Sequence, residues 1–287
     1  METQRIARDG VSLHVEVEGP ADAIPVVFLH GLTGSGRTWG WLPTEITQGR
    51  RIVRVDLRGH GESDHSPESA YRLADYGADI VAVLRELGGR PAVLVGHSLG
   101  GVVSWWVAQT HPELVAAAFL EDPPLLVAEA EGPDAFMPVF TAMRANVLAN
   151  REEGLSDEEW AERMGAEPLG PPGAPPLREV IFDDAVAALA SGHRRLDIGV
   201  IDGVLDRSTL AATDVRSPVT PPIMILAAGD DVGTAFSTKD EQRLAQTHPA
   251  VEVTRIDTSG HGIHDERRHR DVFVAYLREF LERYAPV

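Results

Sequence analysis

The chain has 287 residues, 43% of them hydrophobic, a formal net charge of −18 and no cysteine. That length supplies one large core, or a core with a smaller insertion. The missing thiols exclude disulfides, thiolate chemistry and zinc–thiolate sites, and the acidity argues against nucleic acid as a partner.

The polar start, Met1-Glu2-Thr3-Gln4-Arg5, lacks the apolar stretch of a signal peptide. No apolar run approaches a membrane span, so a cytoplasmic protein without a membrane partner is expected. Asp9-Gly10 between Ile6-Ala7 and the alternating Val11, Leu13, Val15 and Val17 predicts an antiparallel hairpin, because both turn positions accept positive φ. Short continuous apolar runs follow at 26–29, 52–55, 92–95, 116–120 and 223–226. Such runs suit strands covered on both faces, as in a parallel sheet. Helical stripes lie between them: Leu73, Tyr76, Ile80, Leu84 and Leu87, then Val102, Trp105 and Trp106. A last one holds Val272, Phe273, Tyr276, Leu277, Phe280 and Leu281. Strand–helix alternation of this kind predicts a doubly wound, mostly parallel α/β sheet.

One region breaks the rhythm. Residues 125–214 contain no convincing buried strand. Phe140 to Ala161 reads as helix, with Ser156-Asp157-Glu158-Glu159 as a cap and acidic first turn. Gly170-Pro171-Pro172-Gly173-Ala174-Pro175-Pro176 reads as a linker. The expected organisation is a core of residues 1–124 and 215–287 with a helical cap insertion over 125–214.

Gly96-His97-Ser98-Leu99-Gly100 has the form G-x-S-x-G, directly after the run 92–95 and before the helix that follows. A sharp strand-to-helix turn exposes the serine hydroxyl, and glycines allow the close backbone approach such a turn needs. The helix N-terminus directs free N–H groups toward a developing anion. Ser98 is therefore the candidate nucleophile.

Three further segments accompany it: Phe28-Leu29-His30-Gly31-Leu32, Asp56-Leu57-Arg58-Gly59-His60-Gly61-Glu62-Ser63 and Ser259-Gly260-His261-Gly262. On these motifs, which occur in the family's order, the chain resembles the α/β-hydrolase fold family over nearly its whole length. Only the insertion has no specific match. The resemblance implies an oxyanion hole formed by the backbone N–H groups of Leu32 and Leu99, with His30 and the 56–63 loop structural. Of the eleven histidines, His261 has the context for a base: it stands in the glycine-flanked loop after the last strand, 251–256, and before the C-terminal helix, with His264 and Asp265 following closely. A metal reading of His261, His264 and Asp265 lacks defined ligand geometry. His264 is expected at the start of a helix or at a pocket rim.

Two positions compete for the acid that would orient the base. The commoner family arrangement points to Asp231, after the run 223–226, with Asp230 beside it. Haloalkane dehalogenases and zearalenone lactonase-like enzymes place the acid one strand earlier, which corresponds to Asp122, with Glu121 beside it; Asp122 is the acid taken here, with Asp231 as the alternative. The similarity implies a serine hydrolase acting on a carboxylic ester or lactone through an acyl-enzyme, with no cofactor or metal. C–C bond hydrolysis of diketones, a cofactor-free lyase or cyclase, and a non-catalytic small-molecule receptor are the alternatives. A serine at the elbow excludes the aspartate-nucleophile relatives. Phe136, Met137, Phe140 and Met143 of the insertion, with Trp39, Trp41 and Trp160, either line an apolar substrate pocket or pack the core.

Overall fold

The computed structural model describes residues 1–127, 137–168 and 173–287. The chain begins with the hairpin of β1 (Glu2–Arg8) and β2 (Val11–Glu18), whose turn places Asp9 and Gly10 at positive φ. Then come β3 (Pro25–Leu29), α1 (Thr44–Thr47), β4 (Arg51–Val55), α2 (Leu73–Glu86), β5 (Ala92–His97), α3 (Leu99–Thr110) and β6 (Val115–Glu121). After the helices α4 (Met137–Glu152), α5 (Asp157–Ala166), α6 (Leu177–Val180), α7 (Asp183–Arg195) and α8 (Ile198–Leu205), the sheet resumes with β7 (Ile223–Ala228). The chain ends with α9 (Thr238–Thr247), β8 (Glu252–Ile256) and α10 (Arg270–Tyr284).

The eight strands form one sheet in the order β1-β2-β4-β3-β5-β6-β7-β8. Strands β1, β2 and β4 pair antiparallel, and every neighbour pair from β4 to β8 is parallel. Each parallel strand feeds both faces. In β3, Val27 and Leu29 join the cluster under α2 and α3, while Val26 and Phe28 join the cluster under α10. Ala118 and Leu120 of β6 face the first cluster, and Ala117 and Phe119 the second. Period-two alternation is present, but both sides are apolar because both are covered.

The described part of the stretch between β6 and β7 is helical and adds no strand to the sheet. The helix expected over 140–161 is two helices. Gly154 adopts φ +71° and ends the first, and Ser156 caps the second by accepting from the Glu159 N–H while the Glu159 side chain returns to the Ser156 N–H. Phe136 and the Gly170–Pro172 part of the expected linker lie outside the described residues. Trp160 is fully buried, and Phe140 and Met143 pack partly buried against the larger cluster. Of the two alternatives for Trp39 and Trp41, the structure shows core packing: they pack with Phe273 and His264 in the α10-side cluster, on the opposite face of the sheet from Phe140 and Met143. Among the described residues no helix is long and apolar enough to cross a membrane.

Candidate active site

Four parallel strands, β3, β5, β6 and β7, end side by side and bring their following loops together. Ser98 stands between the last residue of β5 and the first of α3 with φ 51° and ψ −115°. Such backbone geometry in a non-glycine residue costs about 1–3 kcal/mol and persists only where the surroundings enforce it. Here the Ser98 N–H donates to the Glu121 carbonyl (2.9 Å) and the Gly100 N–H to the His30 carbonyl (3.1 Å). A Cβ on Gly96 would overlap the Gly100 carbonyl, and one on Gly100 would overlap that of Leu29. The glycines of the motif are thus required by contact distance, not by turn propensity alone.

His261 lies in the loop after β8. Its Nδ1–H donates to Asp122 Oδ2 at 2.7 Å, and its side chain keeps 34% exposure while Asp122 has none. The neighbouring His97 donates Nε2–H to the His261 carbonyl (3.1 Å), with the two rings 4.7 Å apart. Burial holds the His97 ring well below its ordinary pKa, so it is neutral. Among the described residues the His261 ring bonds to Asp122 and not to the Ser98 hydroxyl. In serine hydrolases the hydrogen bond between nucleophile and base commonly tightens only in the substrate complex, so its absence leaves both residues as candidates.

Asp122 follows β6 with φ 42°. Besides His261, its carboxylate accepts from the Ala228 N–H (3.1 Å), the Thr234 hydroxyl (2.6 Å) and the Ala235 N–H (2.7 Å). Burial alone would raise its pKa. The His261 hydrogen bond and charge, with the Ala235 and Thr234 donors, outweigh burial and hold it below the usual carboxylate range. Asp231, the competing position, is exposed and makes no hydrogen bond to His261 among the described residues. Asp230 is exposed as well and accepts from the Thr238 N–H (2.9 Å). Glu121 turns to His264, not His261.

Among the described residues neither the Leu32 nor the Leu99 N–H donates to a protein acceptor. The peptide that carries the Leu32 N–H is fixed at its carbonyl end, where Gly31 O accepts from His30 Nδ1–H (2.7 Å) and the Gly34 N–H (3.0 Å). The other His30 nitrogen accepts from the Leu57 N–H (3.0 Å). An imidazolium could not accept that bond. Burial, with repulsion from His60, lowers the His30 pKa to about 3, in agreement with a neutral ring. The 56–63 loop is in turn organised by Asp56, whose carboxylate accepts from the Gly36 and Glu62 N–H groups and lies 3.1 Å from His14 Nδ1.

His264 is not at a rim. It is completely buried against Glu121. Among the described residues no cluster of His, Asp and Glu has the geometry to hold a metal ion. Thr234 and His97 were not singled out by sequence reasoning. Thr234 sits in a polar loop with no distinguishing pattern, and only the fold brings it to Asp122, 112 positions away.

A family model described as the alpha/beta hydrolase fold matches residues 24–161. A bifunctional esterase/perhydrolase of Acinetobacter calcoaceticus is 30% identical over 234 residues, covering 80% of this chain and 82% of its own. An sn-1-specific diacylglycerol lipase of Mus musculus is 26% identical over 254 residues, covering 88% and 79%. Among solved structures, the enol-lactonase from Burkholderia xenovorans superposes with a TM-score of 0.70 over 97% of this chain and 99% of its own, at 19% identity.

Proposed function

The chain belongs to the alpha/beta hydrolase fold family, and from that premise we propose that it hydrolyses a carboxylic ester or lactone of a small, largely apolar molecule through Ser98, His261 and Asp122. The observation that carries the reading is the 2.7 Å bond from His261 to a buried Asp122, in a loop adjoining a serine held at positive φ. Esterase and lipase activities named for the relatives support an ester as the bond broken.

In this reading His261 Nε2 takes the Ser98 proton as the oxygen attacks the carbonyl carbon. Asp122 fixes the tautomer that leaves Nε2 free and stabilises the imidazolium that forms. The Leu32 and Leu99 N–H groups donate to the tetrahedral oxyanion. Collapse breaks the bond to the leaving alkoxide, which takes the proton from His261. Water then attacks the acyl-enzyme, giving its proton to His261, and Ser98 is released as the alcohol. The described helices within 125–214 are read as a cap over a core of 1–124 and 215–287; their Phe140 and Met143 pack against the apolar cluster that includes Leu99 and adjoins Leu32.

A panel of aryl esters, alkyl esters, lactones and diketones tests the proposal. Turnover of esters or lactones that disappears in Ser98→Ala is expected. Cleavage of diketones alone, or ligand-induced thermal stabilisation without turnover, would overturn it in favour of C–C hydrolysis or a receptor.

A further inference from the structure

Resting on the Ser98–His261–Asp122 reading, we infer that His264 is a positioning residue for His261, and that Glu121 holds it in place. Glu121, the last residue of β6, and Asp122, the next residue, grip two histidines three residues apart on one loop. Asp122 takes His261, and Glu121 takes His264.

The Glu121 grip has two points. Oε1 accepts the His264 backbone N–H (2.9 Å) and Oε2 lies 2.6 Å from His264 Nδ1. Holding a residue by both backbone and ring fixes the path of the chain as well as a rotamer. The His264 ring is wedged between other groups: it stacks on Trp39 (4.4 Å between centroids) and meets His97 edge-on (5.0 Å). Its Nε2 lies 3.3 Å from Asp265 Oδ1 without forming a hydrogen bond. Arg270 Nε donates to the His264 carbonyl (2.8 Å). The Arg270 guanidinium itself lies between the rings of Trp41 (4.2 Å) and Phe182 (3.9 Å). Only Gly262 and Ile263 separate this anchor from His261, and Ile263 is fully buried. On the other side of His261, Glu266 Oε1 accepts the Gly260 N–H (2.7 Å).

The charged and titratable groups facing His264 are Glu121 from β6, Asp265 from its own loop, Arg270 from α10 and the neutral His97 from β5. The two carboxylates offset burial and leave the His264 ring more readily protonated than a free histidine. A buried ion pair is a weak source of net stability. Its contribution here is a specified loop position beside the base.

The test measures kcat, KM and thermal midpoint of the full chain for His264→Gln, Glu121→Gln and the double variant Glu121→Leu/His264→Phe. The substrate is an ester that the unmodified protein turns over. The double variant keeps an aromatic ring on Trp39 and removes both members of the buried Glu121–His264 pair together. In the singles kcat is expected to fall by about 30- to 100-fold with KM within about threefold, because small displacements of a reacting group act on the chemical step. The double variant should stay folded yet lose kcat comparably. The low-field proton resonance of the His261–Asp122 bond should shift or broaden in all three. A folded double variant with kcat within about threefold of the unmodified protein and an unchanged His261 resonance would overturn the inference. If Ser98→Ala is inactive in the same assay, that result removes only the role of His264. If Ser98→Ala stays active, the reading of the site itself fails.

Discussion

Strands β6 and β7 lie side by side, and each is followed or ended by two consecutive acidic residues. Glu121 and Asp122 have no solvent exposure, and each pairs with a histidine. Asp230 and Asp231 are exposed, and Asp230 caps a neighbouring backbone N–H. An exposed carboxylate is satisfied by water wherever it points. A buried one costs several kcal/mol unless donors converge on it. The four donors around Asp122 are therefore what distinguishes it from Asp231, since both follow apolar strand residues in the sequence.

The largest test of that contrast is Asp122→Asn. Turnover is expected to fall by about 10⁴-fold, the scale seen when an orienting acid can no longer select the tautomer of its histidine. Asp231→Asn should stay within about twofold, since a solvated surface residue contributes little. A second test is acid stability. Asp122 and Asp56 both titrate below the usual carboxylate range in the fold. Their contribution is present above the unfolded value near pH 4 and is lost as pH falls through the lower folded values. The thermal midpoint should therefore drop on acidification below about pH 4. His264 has the opposite sign. Its pKa is raised above 6.5, so its contribution is present below that value and fades as pH rises through the folded pKa. His264→Gln should flatten the alkaline side of the stability profile.

Smaller effects follow. Thr234→Val removes one donor from a buried carboxylate and should cost about 1–3 kcal/mol, read by denaturant unfolding. Asp230→Ala, on the exposed side of the comparison, loses the acceptor of the Thr238 N–H at the start of α9 and should cost about 1 kcal/mol or less.

The same contrast explains what could be read without a structure. Runs such as Val26–Leu29 and Ala92–Val95 announce strands buried on both faces, because few other environments accept four consecutive apolar β-formers. The surroundings of Ser98 were legible because a strand, a glycine-flanked serine and a helix are contiguous. The acid was not, because two aspartates stood at equivalent strand ends and burial is invisible in composition. Nor was the Glu121–His264 pair, whose members are 143 positions apart. The choice between pocket and core for Trp39 and Trp41 was open for a related reason: an aromatic residue reads as apolar without saying which face of the sheet it covers. The break at Gly154 was readable only from the cap at Ser156, since the apolar pattern alone runs through it.

The most direct measurement is the rate of covalent labelling by a fluorophosphonate, followed by intact mass and peptide mapping. The account predicts a single adduct on the peptide containing Ser98. It should be absent in Ser98→Ala, formed about 10³-fold or more slowly in Asp122→Asn, and formed at the unmodified rate in Asp231→Asn. An adduct that persists in Ser98→Ala, or slow labelling in Asp231→Asn with normal labelling in Asp122→Asn, would contradict it.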